Sequence, residues 1–197
     1  MKEGILKYLG YKKGAVVDNQ TLRQIDCSIL EVEKYAQFKA IHLRCNYKLK
    51  FIEENVAYRE YLGNYDYFLV AYTLGFQIDR YLQRLQICDM RYALIFNAAA
   101  SRYVEVQADK YDNQLTTEIL GFRFCPGYGG TSLYDNLSIA SELPVSKIGI
   151  SFLESGVMVP SKSMIGVLRI GEAGVKSCRN CVAQENCSFR AQGNHCY

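Results

Sequence analysis

Ile41-His42-Leu43-Arg44-Cys45-Asn46-Tyr47-Lys48-Leu49-Lys50-Phe51 puts an apolar side chain at every odd position and a polar one between. Successive side chains of a strand point to opposite faces, so this run predicts a strand over 41–51 with one buried and one solvated face. Such a strand belongs to an antiparallel or mixed sheet rather than to a parallel sheet covered on both sides. Upstream, Leu22, Ile25, Ile29, Val32 and Ala36 recur at steps of three and four, with Asp18 or Thr21 placed to cap them. That pattern is an amphipathic helix with one buried stripe. Downstream, Gly63, Asn64 and Asp66 mark a turn, and Tyr67 to Thr73 reads as a more buried strand or a helix start.

From 78 to 115 the composition is helical, with Ala98, Ala99 and Ala100 as a close-packed segment and Glu105 in its later part. A Gly-rich stretch over 121–130 interrupts it, and a helical patch follows over 133–143. Ile148, Ile150 and Phe152 return to period two, and Glu154-Ser155-Gly156 predicts a hairpin turn with a return arm over 157–170. Helices and strands mix without βαβ alternation. The expected class is therefore α+β, a mixed or antiparallel twisted sheet flanked by helices. Gly171 and Gly174 divide a domain over 1–170 from a Cys-rich tail over 171–197.

At 197 residues, 49% apolar and 22% charged, the chain has the makeup of one folded domain and excludes wholesale disorder. A net charge of +3 is too small for a nucleic-acid surface. The first residues carry no apolar signal core, and the stretch from Phe68 to Phe76 is far short of a membrane span. The expectation is a cytoplasmic protein with reduced thiols. Five of the sixteen tyrosines, Tyr58, Tyr61, Tyr65, Tyr67 and Tyr72, crowd within fifteen residues. They read as core with wet hydroxyls, with a partner surface as the alternative.

Arg123-Phe124-Cys125-Pro126-Gly127-Tyr128-Gly129-Gly130 is the segment richest in chemistry. It offers a guanidinium fork for a carboxylate or phosphate, a rigid Pro, glycines that admit a ligand to the backbone, and an aromatic wall. On residue types alone a tight structural loop is the favoured reading.

The Arg-x-x-Pro-Gly-Tyr string resembles the S-adenosylmethionine-binding signature of the activation domain of vitamin B12-dependent methionine synthase. Three further segments, in the same order as in that family, are similar to it: Ile5 to Tyr11, the helix Arg102-Tyr103-Val104-Glu105-Val106-Gln107-Ala108-Asp109, and Met158 to Gly166 with its Pro-x-x-Ser-x-x-Gly pattern. The resemblance implies a stand-alone relative that binds S-adenosylmethionine beside a cobalamin carried by a partner. Its implied role is to support reductive methylation of the cobalamin of a corrinoid-dependent methyltransferase such as methionine synthase. It implies that Arg123 grips the methionyl carboxylate, Glu105 pairs with the α-amino group, and Pro126, Gly127 and Tyr128 hold the ligand. A zwitterion needs one cation and one anion held apart, which these residues supply. Methyl transfer needs no general base, in keeping with a chain whose two histidines, His42 and His195, sit in no acid–base constellation. The implied partners are a corrinoid protein and an electron-transfer protein.

Cys178, Cys181, Cys187 and Cys196 lie within the last 20 residues, the first pair as C-x2-C. Four such thiols can form a tetrahedral metal site, with zinc and an iron–sulfur cluster both compatible. Cys27, Cys45, Cys88 and Cys125 read as small buried hydrophobes. The rival function, from a different class, is a non-catalytic metal-binding or iron–sulfur redox module with a vestigial ligand pocket.

Overall fold

The computed structural model describes residues 1–174. Helix α1 (Lys2–Tyr8) is followed by α2 (Asn19–Tyr35), whose Asp18 cap accepts from the Thr21 N–H at 2.9 Å. Ile25 and Val32 of α2 are fully buried, as their spacing predicts. Strand β1 (Lys39–Cys45) leads through α3 (Lys50–Glu54) and α4 (Val56–Leu62) to β2 (Tyr67–Thr73). Two helices, α5 (Phe76–Cys88) and α6 (Met90–Asp112), precede β3 (Leu120–Phe124) and α7 (Asp135–Glu142). A 3-10 turn over Val145–Ile148, a small hairpin of β4 (Ser151–Phe152) and β5 (Met158–Val159), and β6 (Ser163–Ile170) complete the described chain.

The sheet runs β1-β2-β6-β3 and is antiparallel throughout, so of the two expected sheet types the mixed one does not occur. Both of its faces are covered. Phe68, Val70, Tyr72, Leu168 and Ile170 pack against α1, α2, α5 and α6 on one side. Tyr67, Leu69, Ala71, Ile165 and Val167 pack on the other side against α3, α4, α7 and the 3-10 turn. Every residue of β2 is buried, which explains why its sequence is apolar without alternation.

Four sequence expectations need correction. The strand over 41–51 ends at Cys45, where its ladder with β2 stops at the Cys45–Tyr67 pair. Leu49 and Ile52 are then buried three apart, a helical step, so the later apolar positions belong to α3 rather than to a continued strand. The helical region over 78–115 breaks at Asp89, whose extended backbone starts α6 and whose side chain accepts from the Tyr92 N–H at 2.9 Å. The Gly-rich stretch over 121–130 contains a strand, β3, disguised by its brevity and by a bulge between Leu120 and Arg123. The hairpin turn lies where predicted, but its return arm divides: β5 pairs with β4, and β6 joins the main sheet after the cis Val159–Pro160 bond.

Among the crowded tyrosines, Tyr58, Tyr61, Tyr67 and Tyr72 are buried core residues, and Tyr65 is exposed. Cys45 is buried and Cys125 half-buried, whereas Cys27 and Cys88 are exposed because they lie off the buried stripes of α2 and α5.

Close approach of β3 to β6 depends on Gly166. A Cβ there would lie 2.9 Å from the Phe124 carbonyl oxygen and 3.2 Å from Cys125 Sγ. Gly166→Ala is therefore expected to lower stability by about 1–3 kcal/mol, the range for overpacking, measured as a drop in the chemical denaturation midpoint at constant m.

Candidate functional site

Ser101, Glu105, Asp109 and Asp112 follow one another along α6 at steps of four, four and three, which aligns them on one side of the helix. Together they accept bonds from three distant parts of the chain. Lys162 Nζ, just before β6, donates to Ser101 Oγ at 2.9 Å. Tyr8 Oη, at the end of α1, donates to Glu105 Oε1 at 2.5 Å, while Arg102 holds the other carboxylate oxygen at 2.9 Å. Arg123, from β3, donates through Nη2 to Asp109 Oδ1 at 2.5 Å and through Nη1 to Asp112. One helix face thus gathers the N-terminal, central and C-terminal motif segments.

Arg123 is the hub of this arrangement. Its side chain is 14% exposed, and its guanidinium lies 5.6 Å from the ring centroid of Tyr72. The inner partner Asp112 is 8% exposed and also accepts from the Tyr72 hydroxyl. The outer partner Asp109 is 54% exposed. Burial works against the charge on Arg123, and Asp112 and Asp109 more than offset it, so its pKa stands above the ordinary value. Burial likewise lifts the Asp112 carboxyl, against the lowering by Tyr72 and Arg123. Burial lowers the Lys162 ammonium, which Asp79 only partly counters.

The segment after Arg123 is a built loop. Pro126 is buried, and Gly127, Gly129 and Gly130 all take positive φ, a region that glycine enters without strain. Thr131 closes it: its hydroxyl accepts from the Gly127 N–H at 3.0 Å and donates to the Tyr128 carbonyl at 2.6 Å. The Tyr128 ring, 55% exposed, stands at the surface. Burial and then Glu105 raise the pKa of Tyr8, and Tyr128 adds to the shift. The Pro-x-x-Ser-x-x-Gly segment borders the same region. Ser161 donates from N and Oγ to Asp79 at 2.7 and 2.6 Å, Ser163 bonds Thr73 at 2.9 Å, and Gly166 backs Phe124 and Cys125.

Of the residues expected from the sequence, Arg123 reaches the α6 face one turn beyond Glu105, pairing with Asp109 and Asp112 while Glu105 pairs with Tyr8 and Arg102, and Pro126, Gly127 and Tyr128 lie in the loop that follows Arg123. Sequence reasoning missed Tyr72, Asp112 and Thr131. The regular spacing of acids on α6 signalled Asp112, whereas nothing local signalled Tyr72, whose role depends on the sheet.

No protein-family model matches the chain, and no curated protein does. Among the solved structures that are similar is the crystal structure of the MetH reactivation domain bound to AdoHcy, at 18% identity and a TM-score of 0.47. The similarity covers 66% of this chain and 48% of that one, so the chain spans about half of that structure's length.

Elsewhere, a shallow groove of about 470 Å³ runs between α2 and the start of α6, lined by residues such as Gln24, Cys27, Glu31 and Tyr92. None of the motif residues lines it. No helix among the described residues is long and apolar enough to cross a membrane. No group of His, Cys, Asp or Glu among them is arranged to hold a metal. Cys178, Cys181, Cys187 and Cys196 lie outside the described residues.

Arg123→Met strips a buried carboxylate of its counter-ion and is expected to cost about 3–5 kcal/mol near neutral pH. Because the folded state raises the pKa of Asp112, that cost is present above the folded pKa and fades as pH falls through it and the acid takes a proton. Urea titrations of both proteins at neutral and acidic pH check this; an equal cost at both would contradict it. Thr131→Val removes the partner of the exposed Gly127 N–H at a cost of about 0.5–1.5 kcal/mol, and amide exchange at Gly127 should accelerate.

Proposed function

We propose that this protein binds S-adenosylmethionine at the α6 face and the Pro-Gly-Tyr loop, and supports reductive methylation of the cobalamin of a corrinoid-dependent methyltransferase. The observation that carries the proposal is convergence. Four segments that resemble one family in order, far apart in sequence, come together around Ser101, Glu105, Asp109 and Asp112.

In this reading Arg123 takes the methionyl carboxylate by charge-assisted bonds, and Glu105 takes the α-amino group from the next turn of α6. The backbone around Pro126, Gly127 and Tyr128 holds the rest of the ligand, with the Tyr128 ring as one wall. Thr131 fixes that backbone before the ligand arrives, so little loop entropy is lost on binding. The chain's contribution is position: it presents the sulfonium methyl and needs no proton donor or acceptor. The cobalamin, carried by the partner, would supply the nucleophile for the methyl group once reduced by one electron.

A partner must reach the loop. The loop, the start of α7 and the β4–β5 hairpin touch through Gly127 against Leu133, Gly156 against Leu133, and Asn136 Nδ2 donating to the Gly156 carbonyl at 2.9 Å. Tyr128, Leu133, Tyr134, Leu137, Leu153 and Val157 are exposed there, a clustering of apolar side chains that suits a docking face.

Calorimetric titration with S-adenosylmethionine tests the reading. Wild type should bind, and Glu105→Gln should weaken binding by about 1.5–3 kcal/mol, the range for a hydrogen bond to a charged group. Absence of heat at millimolar ligand for a folded wild-type sample would overturn it.

A further inference from the structure

We infer that Asp109 is a built-in surrogate for the ligand's carboxylate: it occupies the outer edge of the Arg123 guanidinium in the free protein and gives way when an α-amino acid ligand arrives. The inference rests on the ligand reading above and specifies how the site is held before binding.

Its basis is the inequality of the two acids on Arg123. Asp112 is 8% exposed, sits in the last turn of α6, and is tied to the Tyr72 hydroxyl as well as to Arg123. Moving it would strand a buried charge and a buried hydroxyl. Asp109 is one turn earlier and 54% exposed, and its side chain makes no other hydrogen bond among the described residues. Its carboxylate can turn into water that already reaches it, and Arg123 keeps the inner carboxylate of Asp112 meanwhile.

Charge makes the exchange necessary. With both acids ionised, the cluster already holds two carboxylates against one guanidinium. A third carboxylate added to that set meets net repulsion, as the raising of the Asp112 carboxyl by Asp109 illustrates. Replacing Asp109 by the ligand's carboxylate instead leaves the count at Arg123 unchanged. Glu105 lies one turn before Asp109 on the same side of α6, so the exchange also brings the ligand's carboxylate beside the group proposed to take its amine. Asp109 therefore sets affinity by competition, because only the fraction of molecules with the outer edge of Arg123 free is competent to bind.

The test compares wild type, Asp109→Ala and Asp109→Asn by calorimetry with two probes, S-adenosylhomocysteine and 5′-methylthioadenosine, which lacks the amino-acid part. Thermal melts of all three proteins report folding. Removing the Asp109 carboxylate should tighten S-adenosylhomocysteine binding about 3- to 10-fold and leave 5′-methylthioadenosine unchanged. Unchanged or weaker S-adenosylhomocysteine binding in a folded variant overturns the surrogate role while the ligand reading stands. Equal gains for both probes also overturn it, since a general charge effect would then be responsible. If S-adenosylhomocysteine binds none of the three folded proteins, the ligand reading falls and this inference with it.

Discussion

The buried ion pair of Arg123 with Asp112, roofed by Tyr72, is the constraint around which the rest is arranged. A guanidinium this far from water is tolerable only against a carboxylate, and a carboxylate this buried only against a cation and a hydroxyl. The three residues come from β3, α6 and β2, so satisfying the charge fixes the edge of the sheet against the longest helix. Placement of the loop follows, because the loop begins one residue after β3 ends.

The sheet supplies the rigidity that this arrangement needs. Apolar layers on both faces hold β2 and β6 in place. At Gly166, the missing side chain lets the backbone of β3 descend until Phe124 and Cys125 lie against β6. Local chemistry then finishes the loop, with Thr131 joining its two ends. Strand, glycine and threonine each act over a different distance, and all three set the position of Tyr128.

Much of this was legible in the chain itself. The stripe of α2, the alternation of Ile41, Leu43 and Cys45, the α+β class and the Glu154–Gly156 turn follow from periodicity and turn chemistry that act within a few residues. The error over 46–51 has the same origin: alternation there coincided with a helical spacing that only burial of Leu49 and Ile52 resolves. Strand β3 escaped notice because five residues with a glycine and a bulge carry almost no pattern. At the site, Arg123 and Glu105 stood out by residue type and by resemblance. Tyr72 could not, since a tyrosine in a central strand looks like core until the helix carrying Asp112 is laid across it. The exchangeable outer acid was likewise hidden, because relative exposure of two aspartates is a tertiary property.

The strand order β1-β2-β6-β3 has a consequence for biosynthesis. The central pairing joins Thr73 to Ser163, 90 residues apart, and β6 is the last strand of the described chain. A nascent chain lacking β6 can assemble its helices and the β1–β2 pair, whose contacts are local, while one edge of apolar β2 stays unpaired. Until β6 leaves the ribosome, β3 has no neighbour and Arg123 has no fixed sheet from which to reach α6. The site is therefore assembled only after β6 has joined the sheet, and the interval before that leaves an edge of β2 open to edge-to-edge aggregation.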